Sequence, residues 1–410
     1  MNDMNAADRA ARLRDEAVDT LVAGGTVTTK EVESALRKVP RHLFAREAPL
    51  EDVYDAYRAV VTKTDEYGVA QSSVSAPQVQ AMMLEQAGIA PGARVLEIGS
   101  GGYNAALVAE LVGEAGEVTT VDIDPDVTAR ARRLLDEAGY SRVRVVTSDA
   151  EEGVPQHARY DAIVVTAGAW DIPCAWVRDL APHGRLVVPL RMRGLTRSIS
   201  FNRHGDHLAS TSALVCGFVP MRGAGAHRET LLLVNGTDEI GLRFDDGMPI
   251  QPQELDNAVR TPRAEVWSGV TLGRQEPFDT LQLYLATVLG GFCIMAVDPT
   301  LDSGVVAPTN KRYSLAAVAG DTFAYVTTRR TDDESSVEFG VHALGPHRQQ
   351  LAEEIAAHLR RWNETVRGGS GPTIGVYPAG TPTDQLPGER VIDKRHSRIT
   401  LSWPSPGETS

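Results

Sequence analysis

Between residues 94 and 190 the chain alternates short apolar runs with amphipathic segments, and this alternation restricts the fold more than any other feature of the sequence. The apolar runs have the length and β-branched content of buried strands, whereas the intervening segments carry apolar residues at helical spacing. The predicted strands are VLEI (95–98), EVTTVDI (117–123), VRVVTSD (143–149), DAIVVTAG (161–168) and GRLVVPL (184–190). This rhythm predicts an α/β fold with a Rossmann-like, doubly wound parallel sheet and helices on both faces.

The rest of the chain predicts a second domain. The α/β unit closes near Gly223, and the glycine-containing stretch 222–227 is a candidate linker. Residues 228–410 lose the strand–helix rhythm and contain strand-like runs with a few helices, which is typical of an α+β domain. We therefore predict a first domain over 1–223, beginning with amino-terminal helices, and a C-terminal α+β domain over 228–410.

Composition argues against several classes of function. With 41 Lys and Arg against 54 Asp and Glu, the formal charge is −13, which disfavours nucleic-acid binding because phosphate neutralisation needs clustered cations. Cys174, Cys216 and Cys293 form no CxxC pair, so neither a disulfide framework nor a zinc site is predicted. The amino terminus lacks the apolar core of a signal peptide and no run is long enough to span a bilayer, so we expect a cytoplasmic protein without a membrane partner.

A glycine-rich turn follows the first predicted strand and reads Glu97-Ile98-Gly99-Ser100-Gly101-Gly102-Tyr103-Asn104. Glycines at a strand–helix junction let the backbone approach a ligand closely and leave helix N–H groups facing it. The spacing GxGG departs from the GxGxxG of dinucleotide-binding folds, so a nicotinamide cofactor fits less well. Asp122 and Asp149 close the next two strands, at the edge where such sheets bind nucleosides. Each feature alone is explained by a tight turn or a solvated acid, but the three in register predict a nucleoside site.

Over about residues 10–223 the chain resembles the protein-L-isoaspartate O-methyltransferases, because several motifs occur in the order found in that family. These motifs are VPRHLF (39–44), SSVSAP (72–77), VLEIGSGGY (95–103), SDAEEG (148–153), YDAIVVTAGAWDIP (160–173) and LAPHGRLVVPL (180–190). The resemblance implies a class I S-adenosylmethionine-dependent methyltransferase that acts on a side-chain or isopeptide carboxylate of a peptide.

The resemblance also implies roles for individual residues. The positions that match the family's cofactor motifs are Glu97, Gly99, Ser100, Gly101, Gly102, Tyr103, Asp122, Ile123, Asp149, Ala150 and Thr166. Among them, Asp122 corresponds to the acid that holds the ribose, and Asp149 with Ala150 corresponds to the adenine-contacting motif. The implied catalytic residues are Ser75, its neighbour Ser73, and Thr166 in a segment that faces donor and acceptor. No metal is implied.

Methyl transfer to a carboxylate makes modest chemical demands on the protein. An aspartate carboxylate is ionised at neutral pH, since its ordinary pKa is about 3.9, so no general base is needed. The enzyme must align the reactants and exclude water. A hydroxyl from Ser75 or Ser73 can hold one carboxylate oxygen while the other attacks. The alternative role for Ser75 is an N-cap of the helix that follows Pro77.

Two departures from the family pattern bear on the substrate. The glycine loop reads GSGGY, one residue shorter than the family's GxGxGY, and nearly half of the chain lies beyond the usual end of the repair enzymes. This long form resembles methyltransferases of lanthipeptide (FxLD-type) and graspetide clusters, which implies an aspartate of a ribosomally synthesised, modified precursor peptide as substrate. The methyl ester then closes to a succinimide, which persists or hydrolyses to isoaspartate.

Other functions stay open at this stage. The nearest alternative is a general repair methyltransferase for isoaspartyl proteins, and the next is an inactive, cofactor-binding partner of a peptide-modifying complex. A small-molecule or nucleic-acid methyltransferase is also compatible with the fold, because the fold does not dictate the acceptor. We expect residues 228–410 to recognise the peptide, the alternative being a stabilising or dimerising domain. Their deletion should then abolish peptide modification but leave cofactor binding, and the oligomeric state stays open.

Overall fold

A computed structural model describes residues 6–99, 101–388 and 390–404 of the 410-residue chain. The helices of these residues are α1 (Ala6–Ala23), α2 (Lys30–Lys38), α3 (Leu50–Val53), α4 (Pro77–Ala87), α5 (Tyr103–Val112), α6 (Pro125–Glu137), α7 (Cys174–Asp179), α8 (Asp279–Val288) and α9 (Arg348–Thr365). The strands are β1 (Val60–Thr64), β2 (Ala70–Val74), β3 (Arg94–Ile98), β4 (Glu117–Asp122), β5 (Arg144–Thr147), β6 (Tyr160–Val165), β7 (Leu180–Met192), β8 (Leu195–His204), β9 (His207–Val215), β10 (Thr230–Leu233), β11 (Ile240–Phe244), β12 (Ala264–Gly273), β13 (Phe292–Val297), β14 (Ser314–Ala319), β15 (Thr322–Arg330), β16 (Ser336–Leu344), β17 (Thr373–Pro378), β18 (Arg390–Asp393) and β19 (Ser397–Ser402). None of these helices is both long and apolar enough to cross a lipid bilayer.

The first sheet contains ten strands in the order β18-β19-β17-β9-β8-β7-β6-β3-β4-β5. Strands β5, β4, β3, β6 and β7 run parallel, and α5 and α6 connect β3 to β4 and β4 to β5. The strand order reverses at β3, which pairs with β4 on one side and with β6 on the other. This is the doubly wound α/β sheet that the sequence predicts, and such sheets bind ligands at the carboxyl ends of the strands beside the reversal.

Seven antiparallel strands within residues 230–344 form a second sheet, in the order β10-β11-β13-β14-β15-β16-β12. Helix α9 packs on this sheet against β12, β15 and β16. Its apolar stripe of Leu351, Ile355, Leu359 and Trp362 is buried in that contact. Antiparallel strands covered by few helices agree with the α+β character predicted for this part of the chain.

The last three strands depart from the predicted division of the chain at 223–228. Strand β17 pairs with β9 through Gly375↔Ala209 and Val376↔Leu208, and β19 and β18 follow it at the edge of the first sheet. The predicted boundary therefore does not hold for residues 373–402, which belong to the same sheet as the glycine loop. Residues 228–410 do not form one separate unit.

One hydrophobic core connects the two sheets. Ile163 and Val165 of β6 belong to the same buried cluster as Leu359 of α9, whereas Ala162 and Val164 of β6 face the cluster formed with helices α1, α2, α4 and α5. Alternate residues of a strand point to opposite faces, so both faces of the parallel sheet are covered. This explains why its strands read as continuous apolar runs in the sequence.

Candidate active site

A cavity of about 460 Å³ lies at the carboxyl ends of β3, β4 and β6 and is closed on one side by the segment that joins β2 to α4. Its volume is within the range of small-molecule sites. The predicted residues that line it are Ser73, Ser75, Gly99, Gly101, Asp122, Ile123, Asp149, Ala150 and Thr166. The structure thus brings together residues from five separate stretches of the sequence, although the role of each stays a prediction. Ser100 was also predicted to bind cofactor and lies outside the described residues.

Gly99 begins the glycine loop in a conformation that requires glycine. Its φ of +106° lies in a region that side-chain-bearing residues avoid, and a Cβ there would lie 2.5 Å from Thr166 Oγ1. Its N–H donates to Val121 O at 2.8 Å, which joins the loop to β4. Thr166 Oγ1 lies 2.8 Å from Gly99 O and 3.0 Å from Ile98 O, so its hydroxyl holds the loop from the other side.

Glu97 lies beneath the loop rather than in the cavity. It is 1% exposed, and its Oε2 accepts a hydrogen bond from the Thr120 hydroxyl. Neither Oε1 of Glu97 nor Nδ2 of Asn104 has a hydrogen-bond partner of good geometry among the described residues. Burial raises the pKa of Glu97 to about 8, against the opposing effect of the Thr120 hydrogen bond. The carboxyl group is therefore mainly protonated at neutral pH.

Besides Glu97, two of the predicted cofactor residues, Gly102 and Tyr103, do not line the cavity. Gly102 is the residue before α5, with φ +87°, and its backbone turns the chain into the helix. Tyr103 is 3% exposed, and its ring packs 5.7 Å from the ring of Phe44 with the Arg41 guanidinium 5.1 Å from its centroid. The first turn of α5 directs this side chain into the core, so only the backbone of Tyr103 is left for the predicted cofactor contact.

Asp122 lies at the end of β4 in a network of charges that the sequence did not indicate. Its Oδ1 accepts a hydrogen bond from the N–H of Asp124 at 2.9 Å, and Nη2 of Arg222 is 3.8 Å from the same oxygen. Arg222 Nη2 and Lys63 Nζ bind Asp124 Oδ2 at 3.2 and 2.8 Å. Although burial acts to raise it, these contacts lower the pKa of Asp124 to about 2. Arg222 and Lys63 thereby attach two surface segments to the carboxyl end of β4.

Asp149 holds the segment 217–225 across the cavity. Its Oδ1 accepts from the N–H of Glu151 at 3.0 Å and its Oδ2 accepts from the N–H of Ala224 at 2.8 Å. The same segment pairs with Gly168, whose N–H donates to Val219 O at 2.8 Å. Sequence analysis gave residues 222–227 as a candidate linker and did not predict this segment as part of the site, because its pairing near the end of β6 has no local pattern.

Ser73 and Ser75 lie on a segment that a buried arginine fixes. Arg41 is 1% exposed and donates to Val74 O at 3.3 Å, to Val53 O at 2.7 Å and to Gln80 Oε1 at 2.8 Å. Neither serine hydroxyl has a hydrogen-bond partner among the described residues. The alternative of a Ser75 N-cap is wrong, since Ala76 occupies the N-cap of α4 and no side chain caps that helix. Both hydroxyls are therefore free to bind a ligand.

The strand order, the glycine loop at the reversal and the nucleoside-sized cavity define a class I S-adenosylmethionine-dependent methyltransferase. The family described as Protein-L-isoaspartate(D-aspartate) O-methyltransferase (PCMT) matches residues 12–225, just over half of the chain. The chain belongs to the protein-L-isoaspartate O-methyltransferase family and is an enzyme that uses S-adenosylmethionine.

Individual relatives agree with this assignment. The chain is 37% identical to the protein-L-isoaspartate O-methyltransferase of Methanopyrus kandleri over 230 residues, which cover 53% of this chain and 95% of that protein. Its identity to the enzyme of the same name from Gloeobacter violaceus is 42% over 190 residues, or 44% of this chain and 87% of that one. A solved structure named protein-L-isoaspartate O-methyltransferase aligns with 95% of this chain and 99% of its own, with a TM-score of 0.51 and 18% identity. The likeness in fold to that structure therefore extends over nearly the whole of this chain.

The residues around the cavity fit S-adenosylmethionine. Gly101 lines the cavity, and the space where its Cβ would lie is open: the one atom within 4 Å is Ser73 O, at 3.8 Å. A side chain at this position would therefore occupy the space that the ligand needs. Asp122 offers a carboxylate for ribose hydroxyls, and Ile123 and Ala150 offer apolar surface for the adenine. Both Asp149 oxygens already accept backbone hydrogen bonds, so an adenine contact would have to share one of them. The described residues contain no cluster of three His, Cys, Asp or Glu side chains that could hold a metal.

Proposed function

We propose that the enzyme methylates the side-chain or isopeptide carboxylate of an aspartyl or isoaspartyl residue in a ribosomally synthesised, modified peptide. The observation that carries the proposal is the position of Ser73 and Ser75, whose unpaired hydroxyls line the same cavity as Asp122 and the glycine loop. Two hydroxyl donors beside a nucleoside site suit a carboxylate acceptor, which has oxygens to accept from both. The ester product then closes to a succinimide when the following backbone nitrogen attacks the ester carbonyl and methanol leaves.

The chain's own residues have three tasks in this reaction. When bound, S-adenosylmethionine supplies an electrophilic methyl group on a sulfonium. Ser73 and Ser75 would donate hydrogen bonds to one oxygen of the ionised acceptor and leave its other oxygen free to accept the methyl group. The segment 217–222 and the β1–β2 hairpin enclose the reacting groups and exclude water. No proton moves in the transfer step, so no side chain needs to act as a base.

A general repair methyltransferase for isoaspartyl proteins is the second candidate. The length of the chain does not discriminate against it, since a solved protein-L-isoaspartate O-methyltransferase aligns with 95% of this chain. We prefer the precursor peptide as substrate because the glycine loop and the following helix, GSGGYNAALVAELVG, resemble those of the peptide-modifying long form. An inactive cofactor-binding partner is not favoured, because free serine hydroxyls in the cavity serve no structural purpose.

Mass spectrometry of two substrates side by side tests the proposal. One is a generic isoaspartyl peptide and the other is the candidate precursor after its rings are installed, each incubated with S-adenosylmethionine. A transient gain of one methyl group, followed by net loss of one water, on the ringed precursor alone supports a dedicated imide-forming enzyme. Methylation of the generic isoaspartyl peptide alone establishes the repair enzyme instead.

A further inference from the structure

A second cavity, of about 320 Å³, lies between the two sheets and is lined by three arginines. Arg191 and Arg197 come from β7 and β8 of the first sheet, and Arg243 comes from β11 of the second. The only carboxylate among the lining residues is Glu229. In a chain whose formal charge is −13, this concentration of positive charge is exceptional.

Arg197 carries a buried charge without an ionic partner. The residue is 3% exposed, and its guanidinium donates to Thr196 O at 3.0 Å, Asp279 O at 3.0 Å and Gln282 Oε1 at 2.9 Å. All three acceptors are neutral groups; the Asp279 carboxylate attracts the guanidinium, but among the described residues it forms no direct ion pair with it. A buried charge is costly unless an opposite charge compensates it. An anion in the cavity would supply that compensation.

The other two arginines share their carboxylates. Arg191 binds Asp245 Oδ1 at 2.7 Å and Glu229 Oε2 at 2.5 Å, and Asp245 also lies 3.8 Å from Lys394 Nζ. Arg243 Nη1 is 3.6 Å from Glu229 Oε1, and its Nε is buried without a hydrogen-bond partner. Arg243 Nη2 donates only a long hydrogen bond, of 3.4 Å, to Arg312 O, and the residue lines the cavity. A planar guanidinium there is suited to bind a carboxylate.

The arginine cavity adjoins the active-site cavity. Gly217 lines both of them, and the chain continues from Val215 in the arginine cavity to Arg222 in the active site. Val215 is 55% exposed and Gly217 is exposed as well, so the stretch of chain that joins the two cavities lies at the surface. A peptide with its acceptor carboxylate at Ser75 can therefore pass over Gly217 and place a second group among the arginines.

We propose that the cavity between the two sheets binds an acidic side chain of the substrate peptide, while the acceptor residue occupies the active site. The inference rests on the proposed peptide substrate and extends it, since it makes the enzyme selective for acidic peptides. It also assigns a purpose to the second sheet, which contributes Arg243 and supports Glu229.

Binding of two fluorescently labelled isoaspartyl peptides tests the inference in the full-length enzyme. One peptide carries glutamates on both sides of the acceptor and the other carries glutamines at the same positions, with S-adenosylhomocysteine present so that nothing reacts. We expect Arg197→Gln and Arg243→Gln to weaken binding of the glutamate peptide by about tenfold, because each removes a charge-assisted hydrogen bond. Neither change should affect the glutamine peptide.

Glu229→Gln should change the affinity for the glutamate peptide in the opposite direction. Because it removes the competing carboxylate from the cavity, we expect the glutamate peptide to bind about threefold more tightly. Arg330→Gln, at an exposed arginine of β15, is the matched control and should change neither affinity. Arg243→Gln and Glu229→Gln keep the test decisive if the buried Arg197 variant fails to fold.

The outcomes separate this inference from the proposed function. Equal affinity of the two peptides for the wild-type enzyme, or variants that leave binding unchanged, overturns the anion site even if both peptides are methylated. Arginine-dependent binding without methylation of any peptide overturns the proposed function but retains the site. A further outcome is that inorganic phosphate raises the melting temperature of the wild-type enzyme but not of Arg197→Gln. If the enzyme then shows no preference between the two peptides, the cavity is a site for free anions and the inference is overturned.

Discussion

Thr166 fixes the backbone of Gly99: its hydroxyl lies 2.8 Å from the carbonyl oxygen of the glycine, and the side chain occupies the space that a Cβ at Gly99 would need. The two residues come from the ends of adjacent parallel strands, β3 and β6. A hydroxyl that was predicted to be catalytic from the sequence is therefore engaged by the loop. We regard Thr166 as a positioning residue for the cofactor-binding glycines.

Thr166→Val should weaken cofactor binding by about three- to tenfold while leaving most of the chemistry intact. Valine keeps the shape but cannot donate to the glycine loop, and a lost internal hydrogen bond costs about 1 kcal/mol. Calorimetric titration with S-adenosylhomocysteine measures the effect, and Thr166→Ser is the control that retains the donor. If kcat collapses while the affinity for S-adenosylhomocysteine is unchanged, Thr166 has the catalytic role that the sequence predicted.

Ser75→Ala and Ser73→Ala should each lower kcat by about tenfold to a hundredfold without lowering the melting temperature. A hydrogen bond to a charged group contributes about 1.5–3 kcal/mol, and neither hydroxyl has a partner among the described residues that its removal would disturb. Ser141→Ala is the matched control, because Ser141 is an exposed serine outside the cavity. Steady-state kinetics with saturating cofactor provides the measurement, and unchanged kcat in both variants would remove the serines from the reaction.

The stability of the enzyme should decrease as pH rises toward 9. Burial raises the pKa of Glu97 to about 8, above its ordinary value near 4.3 in the unfolded chain, so the native state holds a proton that the unfolded state has released. This contribution is complete at acidic pH and is lost as pH rises through the folded pKa. Between pH 6 and pH 9 the free energy of unfolding should fall by an amount on the order of 2–3 kcal/mol.

Urea unfolding at those two pH values measures the loss. Glu97→Gln should remove this component of the pH dependence, because the amide does not titrate, whereas Glu364→Gln on the exposed face of α9 should retain it. A wild-type enzyme as stable at pH 9 as at pH 6 would show that the Glu97 carboxyl group is already ionised in the folded protein.

A chain ending at residue 227 should not fold into a stable, soluble protein, contrary to the expectation from sequence that it would still bind cofactor. The truncation removes β17 from the edge of β9 and exposes the apolar face that carries Ile163 and Val165. Such exposed surface and unpaired strand edges promote aggregation. Size-exclusion chromatography and circular dichroism test this, with the full chain as control. A monomeric, folded fragment that binds S-adenosylhomocysteine would contradict it.

In the catalytic half of the chain, the features that depend on consecutive residues could be predicted from the sequence. A parallel strand that ends in an acidic residue, such as β4 at Asp122, can be recognised from a few consecutive residues. The position of Ser75 came from the resemblance, because its own sequence context fits an N-cap as well. The burial of the Tyr103 side chain could not be predicted, because a position next to a glycine loop does not indicate which way the first residue of the following helix faces.

What could not be predicted depends on contacts between distant residues. The pairing of β17 with β9 and the bond from Ala224 to Asp149 join segments that are far apart in the chain and have no shared pattern. Arg222 reads as an ordinary linker residue until the fold places it beside Asp124. The burial of Arg197 without a direct ion pair is likewise visible only once its surroundings are known.

The return of β17, β18 and β19 to the first sheet has a consequence for biosynthesis. Domains generally fold as units from the amino terminus while the chain is still being made. Here the edge of β9 stays without its neighbour until residues 373–402 have left the ribosome, after the whole second sheet has been translated. Nascent chains must therefore remain protected from aggregation until these three strands have been synthesised.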